Sequence, residues 1–108
     1  MSKLRQLHSE EEFEQVITDS NYKATIVDFT AAWCQPCQTI GPIFEEFSKS
    51  FSQINFIKVD VDELEDLARS QGVGAMPSFF VYQQGVKVET MVGAIKDDLY
   101  KLIKKYNG

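Results

Sequence analysis

Cys34 and Cys37 stand two residues apart in the stretch AAWCQPCQ, beside the only Trp of the chain, and they are its only cysteines. Thiols at this spacing can cycle between dithiol and disulfide, can supply half of a tetrahedral metal site, or can sit in a turn with no chemistry. A zinc site needs about four ligands. The chain offers two sulfurs and one distant His8, so a metal would have to be shared between two chains, and no metal is expected. His8 reads as a loop residue ahead of a helix, with no partner suggested by its spacing and no essential role.

Redox work asks for one thiol to be a nucleophile near neutral pH, and the flanking segments can arrange that. KATIVDFTA, before the pair, is apolar at neighbouring positions, the pattern of a strand covered on both faces. CQTIGPIFEEFSKSF, which begins at Cys37, sets Ile40, Ile43, Phe44 and Phe47 at spacings of three and four, an amphipathic helix that Pro42 is expected to kink. Cys34 then lies at the helix N-terminus, where positions i and i+3 share a side with Cβ atoms roughly 5 Å apart. A small adjustment closes that distance to a disulfide. Pro36 suits the first turn, where an N–H would lack an intrahelical partner. The unpaired N–H groups and positive end of the dipole there stabilise a thiolate, lowering the Cys34 pKa below the free value of about 8.5. Cys34 is the candidate nucleophile, and Cys37, one turn deeper, the resolving thiol. This setting favours a redox pair over a metal half-site or an inert turn.

The strand that delivers Cys34 carries Asp28 between Ile26, Val27 and Phe29. A carboxylate there is costly to ionise, so its pKa should be raised. It is placed to exchange a proton with the deeper thiol, directly or through one water, so that Cys37 becomes a thiolate when it must attack. Lys58 interrupts FIKVDV in the same way, and an ion pair between adjacent strands is the natural pairing for Asp28. The bland alternative is a buried pair with a structural role alone.

KLRQL suggests a short first strand; Ser9 and Glu12 form a capping box ahead of Phe13, Val16 and Ile17, predicting a helix over about 9–19. INFIKVDV reads as a second buried strand, and DELEDLARSQG as a short helix acidic at its start, with Gly72 near its end. PSFFVYQQGVKVETMVG alternates across a hairpin turning near Gln84 and Gly85, and KDDLYKLIKKY closes as a helix with cations at its C-terminal end. These elements predict an α/β fold, a mixed sheet of about five strands with four helices on both faces, in one domain over residues 1–108. At 108 residues and 44% hydrophobic content there is material for one core. A net charge of −5, with cations scattered, argues against nucleic acid or an anionic membrane as partner. No apolar run approaches the roughly 18 residues of a membrane span, and MSKLRQLHSEEEFEQ turns acidic where a signal peptide would be apolar. A soluble chain that is not exported is expected.

Taken together, VDFTAAWCQPC, IGPIFEEF, FIKVDVDE, VGAMPSFFVYQQG and MVGA resemble the thioredoxin family in order and spacing through nearly all of the chain. The resemblance implies the thioredoxin fold, with Cys34 as attacking thiol, Cys37 as resolving thiol, Asp28 as buried acid and Lys58 as its neighbour. It implies a cis peptide bond before Pro77 and a Met76 backbone open to an extended substrate segment. Trp33, Gly93 and Ala94, with Val73, Gly74, Ala75 and Met76, match the family's apolar docking rim. The usual Trp-Cys-Gly-Pro-Cys-Lys reads Trp-Cys-Gln-Pro-Cys-Gln here. Gln35 and Pro36, between the cysteines, therefore become the residues that tune the potential, over a range of about −270 to −120 mV across such proteins. Gln35 adds no charge, so a reductant is expected, while loss of a cation at position 38 should raise the Cys34 pKa slightly. Thr30 stands where the family often has an aromatic residue.

The resemblance implies a protein-disulfide reductase with no cofactor beyond its own dithiol, NADPH and FAD belonging to a partner thioredoxin reductase. Peroxiredoxins, methionine sulfoxide reductases and ribonucleotide reductase are the implied acceptors. A cytoplasmic monomer is expected, and a nuclear location also suits so small a chain. Two rival readings are a binding or chaperone-like subunit that does not turn over, and a more oxidising isomerase or oxidase. The absence of a signal peptide speaks against the last.

Overall fold

The computed structural model describes residues 3–108; Met1 and Ser2, at the start of the expected 1–108 domain, lie outside them. In chain order the elements are β1 (Arg5–Gln6), α1 (Glu10–Ile17), β2 (Ala24–Thr30), α2 (Gln35–Ser48), β3 (Ile54–Asp60), α3 (Glu65–Ser70), β4 (Ser78–Gln83), β5 (Val86–Val92) and α4 (Lys96–Asn107). The strands form one mixed sheet in the order β1-β3-β2-β4-β5. β1 and β2 each run parallel to β3, whereas β4 is antiparallel to β2 and to β5. β2 is therefore central, and all seven of its residues are buried.

Side chains alternate across that strand and find different helices. Val27 and Phe29 join Phe13, Val16 and Ile17 of α1 and Leu67 of α3. Ala24 and Ile26 join Ile40 and Phe44 of α2 and Leu99, Leu102 and Ile103 of α4. Helices on both faces explain why the strand reads as continuously apolar. Asp28, two residues beyond Ile26, belongs to the α2 face.

The helix ends follow from local chemistry. The Ser9 hydroxyl accepts from the Glu12 N–H at 3.2 Å, and the Glu12 carboxylate accepts from the His8 N–H at 2.8 Å. The capping box thus reaches one residue further back than its usual form. α3 starts later than the acidic run suggests, because Asp60 holds a turn: its carbonyl accepts from the N–H groups of Glu63 and Leu64, and its carboxylate from that of Asp62. It ends in a Schellman motif, with Gly72 at φ +84°, Gly72 N–H on the Arg69 carbonyl and Val73 N–H on that of Ala68. Gln84 and Gly85 have φ of 51° and 82°, the two left-handed positions of a tight hairpin turn. α2 continues through Pro42 as one helix and ends at Ser48, three residues short of the predicted end.

Candidate active site

β2 ends at Thr30, and the chain turns back on itself before α2, with Cys34 N–H donating to the Ala31 carbonyl at 3.2 Å. Cys34 takes the N-cap position of α2, and its Sγ accepts from the Cys37 N–H at 3.3 Å. Pro36 occupies the first helical turn, where its missing N–H costs nothing. The pair is joined as a disulfide with Cα atoms 5.2 Å apart. Cys34 is 5% exposed and Cys37 2%. The first sulfur is the outer one, and it sits where helix N–H groups stabilise negative charge.

Ala31, Met76 and Val61 pack around the two cysteines. The Met76–Pro77 peptide bond is cis, and the Gly93 N–H donates to the Pro77 carbonyl at 2.9 Å, which brings those two loops together. Trp33 is 69% exposed, yet its indole N–H donates to Asp62 at 3.0 Å. Gly74 and Ala75, which precede Met76 in the chain, are exposed, and the Ala75 carbonyl accepts from the Ser78 hydroxyl. Val73 packs instead against the apolar cluster under α1 and α3, and Ala94 against the cluster under α2 and α4. Gln35 is exposed on the first turn of α2.

Asp28 is buried on the α2 face, directly opposite Lys58 in the parallel register of β2 and β3. Its Oδ1 has no hydrogen-bond partner among the described residues. Burial pushes the carboxyl up to about 7, and the positive charge of Lys58 opposes this more weakly. The expected contact ion pair is absent: the ion pairs within 4 Å do not include these two residues. Lys58 is half-buried and lines the same cleft, so its charge acts on the carboxylate through space, without contact. A cleft of about 180 Å³ opens here, lined by Asp28, Cys37, Gln38, Gly41, Glu45 and Lys58. A neighbouring groove of about 160 Å³ shares Thr30, Gln38 and Lys58 with it. A larger hollow of about 400 Å³ lies at the other end of β2, beside Ala24 and Tyr82, and no cysteine lines it.

Other partners escape sequence reasoning. Asp62 reaches Trp33 across 29 positions, Gln38 donates through Nε2 to the Ala31 carbonyl at 2.9 Å, and Val61 closes over the disulfide. The acidic run after β3 read as the start of a short helix and gave no sign of the indole. His8, for which spacing suggested no partner, pairs through Nδ1 with Glu63 at 2.8 Å, which raises its pKa first through that hydrogen bond and then through the charge of Glu63.

A central strand of a mixed sheet that hands a Cys-x-x-Cys disulfide to a helix N-terminus, with a buried acid beneath it, defines a thiol–disulfide oxidoreductase. The thioredoxin family model matches residues 5–105. The chain is 46% identical over 101 residues to thioredoxin-1 of Schizosaccharomyces pombe, covering 94% of this chain and 96% of that one. It is 44% identical over 103 residues to an H-type thioredoxin of Oryza sativa, covering 94% and 84% of the two chains. The solved thioredoxin of Malassezia sympodialis superposes with a TM-score of 0.93 at 35% identity, over 100% of this chain and 94% of that one. The chain belongs to the thioredoxin family. It is a protein-disulfide reductase, acting on disulfides in proteins and recharged by a reductase partner. No helix among the described residues is long and apolar enough to cross a membrane.

Proposed function

We propose that Cys34 attacks and Cys37 resolves, with Asp28 managing the proton between them. The thiolate of Cys34 attacks one sulfur of a protein disulfide, forming a mixed disulfide and releasing the other substrate sulfur as a thiolate. Asp28 takes the Cys37 proton, directly or through a water in the cleft they share, and the Cys37 thiolate attacks Cys34 Sγ. The second substrate thiolate leaves, and the two electrons that reduced the substrate leave behind the Cys34–Cys37 disulfide. The observation that carries this reading is the N-cap placement of the outer sulfur, with the inner one opening on the cleft of a hydrogen-bond-poor carboxyl. Lys58 lowers the cost of the Asp28 anion from a distance.

The electrons come back from NADPH through a flavoprotein thioredoxin reductase, so the chain carries no cofactor besides its dithiol. Trp33, Met76, Pro77 and Gly93, with Gly74 and Ala75 beside them, receive an extended segment of the partner, and Val73 and Ala94 shape the outer margins of that surface. Gln35 and Pro36 tune the potential. Peroxiredoxin, methionine sulfoxide reductase and ribonucleotide reductase are the acceptors, in the cytoplasm and the nucleus, with the chain acting as a monomer that binds neither nucleic acid nor membrane.

Equilibration against glutathione mixtures, with free thiols counted, tests the reductant reading. A potential near −270 mV is expected, and one near −180 mV or above would make the chain an isomerase or oxidant. Cys37→Ser should accumulate mixed disulfides through Cys34 in a cell extract, identifying acceptors and compartment together. A Cys34→Ser, Cys37→Ser variant that kept its biological activity would establish the binding-module reading instead.

A further inference from the structure

Between β2 and α2 the residues Ala31, Ala32, Trp33 and Cys34 form a turn closed by the Cys34 N–H on the Ala31 carbonyl. This turn presents both the exposed indole and the outer sulfur. The carbonyl that closes it has a second donor, because Gln38 Nε2 approaches it at 2.9 Å, against 3.2 Å for the Cys34 N–H. A carbonyl oxygen has two lone pairs and accepts both. The main chain of Gln38 also donates to the Cys34 carbonyl at 3.2 Å. One residue of the second helical turn therefore grips the start and the end of the turn that carries the thiol.

We propose that Gln38 is a positioning residue for the attacking thiol: its side-chain amide clamps the Ala31–Cys34 turn to α2 and keeps the Cys34 sulfur on the helix N-terminus. Two properties make the clamp effective. Ala31 is buried, so little water competes for its carbonyl. The amide is neutral, so it directs the turn by hydrogen bonding and leaves the field at the sulfur to the helix end. The indole is tied separately, to Asp62, so the clamp acts on the sulfur while Trp33 keeps its own anchor. When the disulfide is reduced, the covalent tie between residues 34 and 37 is gone, and the Gln38 bond then holds the outer sulfur over the N–H groups that stabilise its anion.

The inference rests on Cys34 being the attacking thiol, and the test separates the two. Reduced protein is alkylated with limiting iodoacetamide from pH 5 to 9, and the modified residue is located by mass spectrometry. Gln38→Met keeps the length of the side chain and loses the donor; Gln38→Lys keeps an N–H donor. In Gln38→Met the pH–rate profile is expected to move to higher pH, with alkylation at pH 6 about three-fold slower, a half-unit rise in thiol pKa. Gln38→Lys should titrate at or below the parent. A Gln38→Met profile that overlays the parent, or a Gln38→Lys profile displaced upward as far as that of Gln38→Met, would overturn the clamp. Preferential alkylation of Cys37 in the parent would overturn the assignment of the attacking thiol itself.

Discussion

One face of β2 carries two kinds of interior. At its beginning, Ala24 and Ile26 are packed by α2, α4 and a group of aromatic rings in which Phe44 lies 5.0 Å from Phe56 and 5.3 Å from Phe79, centroid to centroid. Two residues past Ile26, the same face holds Asp28, an unpartnered carboxylate oxygen and a cleft that reaches Cys37. The same pattern recurs on β3, where Phe56 lies opposite Ile26 and Lys58 opposite Asp28. Filled apolar packing at one end provides the rigidity that holds polar, incompletely satisfied groups in place at the other. Burying an unpaired carboxyl is costly, and that cost raises its pKa to about 7, the range the proposed proton exchange requires.

Breaking the apolar end should have the largest effect. Phe44→Ala removes a fully buried ring and is expected to destabilise the protein by about 3–5 kcal/mol in urea unfolding. The polar end should respond through pH. The folded-state pKa of Asp28, about 7, lies above its ordinary value of 3.8, so the native protein holds a proton that the unfolded chain releases between these values. Its contribution to stability is full at acid pH and is lost as pH rises towards 7, on the order of 4 kcal/mol in all. Asp28→Asn should flatten this part of the stability profile of the oxidised protein and lengthen the lifetime of the mixed disulfide at pH 7. An unchanged slope would place the titrating group elsewhere. A finer probe of the boundary is Gly41, on α2 at the cleft, where an added Cβ would meet nothing within 4 Å beyond its own helix and its chain neighbours. Gly41→Ala should stabilise the helix by up to about 1 kcal/mol, read as a higher urea midpoint. The smallest effect is expected for His8→Ala, whose exposed pair with Glu63 lies outside both interiors. Its insulin-reduction rate should match the parent's.

Legibility in the sequence follows the same division. Val16 and Ile17 on α1, Ile40 and Phe44 on α2, and the buried run of β2 declared themselves through spacing, because helix and strand periods are local. Cys34, Cys37 and Asp28 were legible for a related reason: a sulfur pair and a lone acid are conspicuous against the run that contains them. Lys58 was legible as an interruption, but its expected ion pair was not formed, because register places two Cα atoms opposite each other without deciding where a long side chain ends. The ends of β1 and α3 were misjudged by a few residues, since the Asp60 turn that delays α3 uses hydrogen bonds no periodicity reveals. Asp62 and Glu63 read only as the acidic start of a short helix, and folding brought them to Trp33 and His8.

By itself the sequence determined the kinds of element, their order and the chemical character of the sulfur pair, because each depends on neighbours within a helical turn or a strand. The tertiary structure decided what surrounds that pair. It left Asp28 Oδ1 without a partner among the described residues, set Lys58 out of contact with it, laid Met76 and Val61 against the disulfide and put a second donor on the Ala31 carbonyl. Those outcomes depend on which side chains converge across the sheet, and convergence follows from strand order and helix packing that no single segment contains.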